Sequence, residues 1–199
     1  MNKIYTLTLA LTLTACSSPS TQEITMNGEN NVSFKYIENP TIQATGMAQI
    51  KGLLDDHLKP ALMPKMKKDP SGVLGMKLCS ESAKGIENAY NENLPKDSMV
   101  RRTALKYRNP ANKPDAIDVE VMTDLQTKNN FNPVVIEMKD QYRIYKALPT
   151  LKPCLACHGD TTIMDETVKE IIAKKYPTDL ATNFKEGEFR GVVVSEIKK

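Results

Sequence analysis

The stretch of sequence that decides the fold is VVIEMKDQYRIYKAL, at residues 134–148. Two runs rich in β-branched and aromatic residues, 134–138 and 142–148, flank the polar pair Lys139-Asp140, and this pattern is typical of a β-hairpin. Residues 188–197 form a further strand-like run after the turn at Glu186-Gly187. An antiparallel sheet is therefore expected in the second half of the chain.

Helical patterns fill most of the remaining sequence. Apolar residues recur at three- and four-residue steps in residues 41–67, which predicts one or two helices that Pro60 and Pro64 kink or end. A second helix follows residues 69–71 and carries Cys79 on its inward, apolar face. Residues 116–127 and 165–176 predict two more helices, and residues 100–107 an extended segment before a turn-rich loop. We expect an α+β domain, with an antiparallel sheet flanked by helices.

The N-terminus has the pattern of a bacterial export signal. Its apolar run, residues 4–13, is far shorter than the roughly 20 residues that span a bilayer. The sequence Leu13-Thr14-Ala15-Cys16 resembles the lipobox of bacterial lipoproteins, in which the cysteine becomes the lipidated first residue. We predict lipidation of Cys16. The alternative is a soluble secreted protein cut near Ala15, in which Cys16 is incidental.

These features divide the chain of 199 residues into three parts. Residues 1–15 are interpreted as a lipoprotein signal peptide, and residues 16–40 as a lipidated flexible tether, because residues 17–32 are polar and lack periodicity. Residues 41–199 are expected to form one folded domain. The predicted location is the periplasm, anchored to the membrane by lipid, and Ser17 after the cysteine favours the outer membrane over the inner.

A second cysteine pattern, Cys154-Leu155-Ala156-Cys157-His158, comes shortly after the hairpin. Two thiols three positions apart can reach both vinyl groups of one porphyrin edge, and the adjacent imidazole then lies beneath the iron. A redox pair or half a zinc site is the alternative, but the sequence has neither a second CxxC nor clustered histidines. We predict one covalent haem c on Cys154 and Cys157, with His158 as iron ligand.

The cysteine count leaves one thiol over. Four cysteines in an exported protein would ordinarily suggest two disulfides. With Cys16 assigned to lipid and Cys154 and Cys157 to haem, Cys79 has no partner.

The formal net charge is only +3 and no basic stripe is present, so no nucleic-acid partner is expected.

Three stretches of the chain resemble one known family. They are residues 75–79, residues 101–115, and residues 154–159 together with 176–177 and 187–191. They are similar to exported c-type haem domains with a PAS-like fold, first described as a domain of unknown function. The likeness runs from about residue 41 to the end. Members of the family occur alone and as sensory modules of signalling proteins.

The resemblance implies that the iron is held by His158 on one side and Cys79 on the other. A buried core thiol is the alternative interpretation of Cys79. The other candidates for the sixth ligand are His57 and the methionines Met63, Met66, Met76, Met99, Met122 and Met138.

Several cations near residue 101 are candidates for binding the haem propionates. Arginine suits carboxylates because it can donate two parallel hydrogen bonds. We consider Arg101, Arg102 and Arg108, with Lys106, for this role. Because alternate residues of a strand face opposite sides, at most half of them can point at one haem.

The predicted function is one-electron transfer or redox poise by a lipid-anchored mono-haem cytochrome with a periplasmic redox partner protein. The alternative is a haem-based redox or gas sensor that releases Cys79 and acts through a partner protein. Catalysis is not expected, because His57 is the only other histidine and no distal acid–base pair is apparent. A homodimer is left open.

Overall fold

The protein is represented by a computed structural model that describes residues 23–26 and 32–199. The described strands form one antiparallel sheet in the order β1-β2-β4-β5-β6-β3. Their bounds are Glu23–Met26 (β1), Val32–Ile37 (β2), Ser98–Thr103 (β3), Val134–Glu137 (β4), Gln141–Pro149 (β5) and Phe189–Lys198 (β6). Sheet and helices together confirm the predicted α+β class.

Helices lie before, between and after the strands. The α-helices are Pro40–Lys51 (α1), Lys59–Lys68 (α2), Val73–Glu81 (α3), Ala83–Glu92 (α4), Ala116–Thr127 (α5), Leu155–His158 (α6) and Glu166–Lys175 (α7). A π-helical segment, Gly52–Leu58, joins α1 to α2, and short 3₁₀ turns cover Pro110–Asn112 and Lys152–Cys154. None of the helices in the described ranges is long and apolar enough to cross a membrane.

The predicted hairpin is confirmed, and its strands lie near the middle of the sheet. Val134 of β4 pairs with Tyr145 of β5, and β6 pairs with both β5 and β3. Successive side chains of β6 enter opposite cores: Val192 and Val194 pack under α5, whereas Val193 packs under α1 and α4. Full burial of one such side chain stabilises the fold by roughly 1.5–3 kcal/mol, so this alternation fixes the register.

The sheet begins earlier than the sequence analysis expected, and this corrects the start of the domain at residue 41. Within the stretch 16–40 assigned to the tether, β2 pairs with β4 through Tyr36 and Ile136, and Phe34 is buried against the α5 side of the sheet. In residues 32–37 the polar Ser33 and Lys35 alternate with Val32, Phe34 and Tyr36, which is the period-two pattern of a strand. The predicted signal peptide and the predicted lipidation site Cys16 lie outside the described residues.

The first long helix differs from expectation in where it is irregular. It runs on to Lys68 past both Pro60 and Pro64, and the irregular segment is the π-helical turn before them. Pro60 is tolerated because it lies in the first turn of α2, where a missing amide hydrogen costs little. The second predicted helix is split into α3 and α4 at Ser82.

Candidate functional site

The pentad containing both CxxC cysteines forms the short helix α6, directly after β5. Pro153 lies in the 3₁₀ turn that precedes it. Backbone hydrogen bonds between Thr150 and the turn before β6, from Thr150 N to Glu188 O and from Gly187 N to Thr150 O, anchor the start of this segment. The sheet therefore determines where Cys154 and Cys157 are presented.

The ring of His158 is fixed by one hydrogen bond. Its Nδ1 lies 2.7 Å from the carbonyl oxygen of Ala181, and because a carbonyl only accepts, Nδ1 carries the proton and Nε2 is left with its lone pair. Burial lowers the pKa of His158 well below its usual value, and the positive charges of Arg190 and Arg108 lower it further. A neutral imidazole with a free Nε2 is the form that binds a metal.

Arg108 holds the pentad in place. Its guanidinium donates to the carbonyl oxygens of Cys157 at 2.7 Å and Ala181 at 3.0 Å, and it pairs with Asp179 through two hydrogen bonds of 3.1 and 3.0 Å. Only 8% of the Arg108 side chain and 7% of the Asp179 side chain are exposed. The same Ala181 oxygen accepts from His158, so this cation positions the histidine as well.

Arg101 and Arg102 point to opposite faces of the sheet, as expected for neighbours on a strand. Arg101 donates to Asp118 at 2.8 and 3.0 Å and to Glu196 at 2.7 Å. Arg102 donates to Glu87 at 2.9 Å. Asp118 and Glu87 have no exposed surface, so each arginine neutralises a buried carboxylate. All three arginines predicted to bind propionates thus have protein carboxylates as partners.

A fourth arginine, Arg190 of β6, was not among the predicted site residues. Its guanidinium lies 5.1 Å from the ring centre of Phe184, and its Nη1 donates to the carbonyl oxygen of Lys106 at 3.2 Å. Within the described part of the chain no carboxylate lies within 4.0 Å of it. Burial, reinforced by the charge of Arg108, lowers the pKa of Arg190 to about 10. The sequence signal was its place in residues 187–191, one of the stretches that carry the resemblance.

Arg190 is therefore a partly buried cation that no carboxylate contacts among the described residues, and the nearest effect of a negative charge comes from Asp179 at a distance. Such a group is costly unless an anion accompanies it. Phe184 also contacts the His158 ring edge to face, with 6.4 Å between ring centres, so Arg190 and His158 flank the same aromatic ring. A carboxylate-bearing ligand beside His158 would supply the missing charge.

Helix α3 is packed against the pentad at its N-terminal end. Gly72, with φ of +92°, lies so close that a Cβ there would be 3.0 Å from both the Ala156 side chain and the Cys157 sulfur. One turn later, Met76 is buried with its sulfur 3.4 Å from the Nη1 of Arg108. Positions 72, 76 and 79 follow helical spacing along one face, so Cys79 lies on the side of α3 that approaches the pentad.

The Cys79 thiol has accessible surface, which corrects the expectation that it is turned into the core. Burial by surrounding protein nevertheless raises its pKa, while Arg102, Arg108 and Arg190 act in the opposite direction. The Cys79 side chain is surrounded by protein and is still reached by solvent, so it lines a cleft. Burial also raises the pKa of the Cys157 thiol to about 11. The second-largest cause of that shift is the charge of Cys79, so the two sulfurs lie close enough to affect each other's ionisation.

Of the other candidates for an iron ligand, Met63 and Met66 lie beside the pentad, whereas His57, Met122 and Met99 lie elsewhere in the fold. His57 is on the π-helical segment, where its Nδ1 is 2.9 Å from the carbonyl oxygen of Gly52. Met122 is a fully buried residue of α5, and Met99 belongs to the separate cleft at Arg101. Met63 and Met66 line an apolar cleft of about 530 Å³ beside the pentad, together with Pro64, Lys67 and Pro153.

These residues fit a haem. The apolar cleft lined by Met63, Met66 and Pro153 borders the point where Cys154 would hold the porphyrin edge. The free Nε2 of His158 and the accessible thiol of Cys79 are iron donors, and the guanidinium of Arg190 suits a carboxylate such as a propionate. Cys154 is partly exposed and Cys157 is buried, and neither forms a disulfide.

Comparison with known proteins agrees with this picture. A family model described as Tll0287-like matches residues 21–197. Among solved structures, the cyanobacterial haem protein Tll0287 superimposes with a TM-score of 0.60 at 24% sequence identity, over 81% of this chain and 98% of that one. The family model confirms the family resemblance, and the structural match confirms the predicted fold. A search of curated proteins finds no match.

Proposed function

The chain belongs to the Tll0287-like family, and from its N-terminal pattern and its CxxCH pentad we propose that it is an exported, lipid-anchored cytochrome that carries one electron at a time. One haem c would be attached through Cys154 and Cys157, with His158 and Cys79 as the axial iron ligands. The observation that carries the proposal is the CxxCH pentad whose histidine has its Nδ1 committed to Ala181 and its Nε2 free. The similar cyanobacterial structure is that of a haem protein, which supports the same cofactor here.

Each residue of the site has a defined task in this proposal. A bound haem supplies a one-electron couple between ferric and ferrous iron. Ala181 and Arg108 fix the orientation of His158, Arg190 neutralises a propionate, and Phe184 covers the edge of the histidine ring. A thiolate from Cys79 would favour the ferric state and hold the potential low, whereas a methionine would raise it.

One observation favours the sensor alternative. Cys79 lies in the last turn of the nine-residue helix α3, and its thiol is accessible rather than packed in the core. The hydrogen bond from Tyr176 Oη to the Cys79 carbonyl oxygen is long, at 3.4 Å. Release of the thiolate on reduction would therefore disturb little packing and would open a coordination position.

Optical and electron paramagnetic resonance spectra of the haem-loaded protein, ferric and then ferrous, test the proposal beside Cys79→Ala and Cys79→Met. We expect a low-spin thiolate signature that both variants lose, and a higher midpoint potential in Cys79→Met. An unchanged spectrum in both variants would remove Cys79 from the iron. In the wild type, carbon monoxide binding to the ferrous form would favour the sensor, and its absence the carrier.

A further inference from the structure

We propose that the surface around the apolar cleft at α2 is the docking site of an acidic redox protein. The inference rests on the proposed function, because it names the kind of partner that would exchange electrons with the haem. We call this surface the basic rim and define it by Lys67, which lines the cleft together with Met63, Pro64, Met66 and Pro153, and by Lys152, the residue before Pro153.

The centre of this surface is apolar and adjoins the attachment site. Met63 is 44% exposed, which is high for a large hydrophobic side chain, and Pro64 beside it is also exposed. Pro153, on the other wall of the cleft, immediately precedes Cys154. A protein that covers this cleft would therefore come close to a haem attached at Cys154.

Uncompensated positive charges flank the apolar centre. Helix α2 reads KPALMPKMKK and contains no acidic residue. Lys67 and Lys152 are exposed, and in the described ranges neither has a carboxylate oxygen within 4.0 Å, whereas Lys59 pairs with Asp55 at 2.6 Å.

The helix dipole alone does not account for this arrangement. Lysines in the last turn of a helix are favoured by its C-terminal partial charge. Lys152, however, belongs to the separate 3₁₀ turn before α6, next to Pro153, which lines the cleft together with residues of α2. Two independent elements thus contribute cations to one apolar surface.

An apolar centre with a charged rim is the usual anatomy of a transient protein interface. Carboxylates on a partner would be attracted by the basic rim, which speeds and orients the encounter. With haem bound, the encounter would transfer one electron from the reduced partner to the ferric iron, which would oxidise the partner and leave the iron ferrous. No bond is made or broken and no proton moves.

The chain offers matched control residues. At 3.6 residues per turn, Lys65 points about 160° away from Lys67 on the same helix. Lys139 lies in the turn between β4 and β5, at the far end of the nine-residue β5 from the pentad. The double variant Lys65→Glu/Lys139→Glu therefore has the same net charge as Lys67→Glu/Lys152→Glu but leaves Lys67 and Lys152 in place.

The experiment measures reduction of the haem-loaded protein by stopped flow over a range of salt concentrations. The acidic probe is a plant-type ferredoxin, whose potential is about −400 mV, and the small cationic reductant methyl viologen is the control. We expect the ferredoxin rate constant to fall with salt and to drop about tenfold in Lys67→Glu/Lys152→Glu at low salt. The control variant should keep the wild-type rate, and methyl viologen should not lose rate in either variant.

Three results would overturn the proposal. If methyl viologen does not reduce the haem reversibly, the proposed function is wrong, and the docking site is wrong as well because it rests on that function. If methyl viologen reduces the haem but the ferredoxin rate is the same in both double variants, the docking site alone is wrong. If Lys67→Glu/Lys152→Glu abolishes binding to phosphatidylglycerol vesicles without slowing ferredoxin, the basic rim contacts a membrane instead of a protein.

Discussion

The Nη2 of Arg108 donates to the carbonyl oxygen of Cys157 at 2.7 Å, across 49 positions of the sequence. The same guanidinium is neutralised by Asp179 and also donates to Ala181, the residue that orients His158. The segment just after β3 and the segment before β6 are thereby joined at the pentad. Arg108 thus positions Cys157 and His158 by binding the backbone carbonyl oxygens of Cys157 and Ala181.

Replacing Arg108 should cost much of the stability of the site. In Arg108→Met the buried Asp179 is left without its cation, and removing one partner of a buried pair costs about 3–5 kcal/mol. Guanidinium chloride unfolding of the haem-loaded variant, followed by far-ultraviolet circular dichroism, measures this loss. The double variant Arg108→Met/Asp179→Leu should recover part of it. A loss below about 1 kcal/mol in the single variant would contradict the role given to this pair.

Arg190 should control the potential of the haem. A cation beside the propionates favours the ferrous state, because reduction adds negative charge to the site. We expect Arg190→Gln to lower the midpoint potential by roughly 50 mV, since a tenfold change in a one-electron equilibrium is about 59 mV. Potentiometric titration of the holoprotein measures the shift. Arg190→Lys should restore most of the wild-type value, and equal potentials in all three proteins would remove Arg190 from the site.

The arginines around the site show which features the sequence can predict and which it cannot. The hairpin, α5 and β6 were predictable because their hydrophobic patterns are local and match the periods of strands and helices. The pentad was predictable because its spacing follows from covalent chemistry. The carboxylate partners of Arg101, Arg102 and Arg108 were not predictable, because Asp118, Glu87 and Asp179 lie 17, 15 and 71 positions away from them in the sequence.

The stability of the α5 face of the sheet should depend on acid pH through Asp115. Burial tends to raise the pKa of Asp115, but the backbone amide of Asp118 and the guanidinium of Arg143, 2.7 Å away, together lower it. Because the folded-state pKa of Asp115 lies below its unfolded value of about 3.9, its contribution to stability is present above about pH 3.9 and is lost as the pH falls through the folded-state pKa.

We therefore expect the free energy of unfolding to fall in acid, and to fall less steeply in Asp115→Asn. Asparagine is as good an N-cap as aspartate, so α5 keeps its capping residue while the charge that titrates is removed. Urea unfolding of both proteins between about pH 3 and pH 6 makes the comparison. Parallel pH profiles would show that Asp115 contributes nothing to the acid dependence.

The close approach of α3 to the pentad depends on Gly72. Its φ of +92° disfavours any side chain, and a Cβ would meet Ala156 and Cys157 at 3.0 Å. Gly72→Ala should therefore push the start of α3 away from the pentad and, with it, the helix that carries Cys79. Backbone strain of this kind costs about 1–3 kcal/mol.

Gly85 provides the matched control, because it is an exposed glycine inside α4 where an added Cβ would have no atom within 4 Å. Gly85→Ala should stabilise the protein by roughly 0.5–1 kcal/mol through helix propensity. Gly72→Ala should instead lower both the unfolding free energy and the fraction of low-spin thiolate-ligated haem seen by electron paramagnetic resonance. A stable Gly72→Ala protein with the wild-type spectrum would show that the contact between α3 and the pentad does not set the position of Cys79.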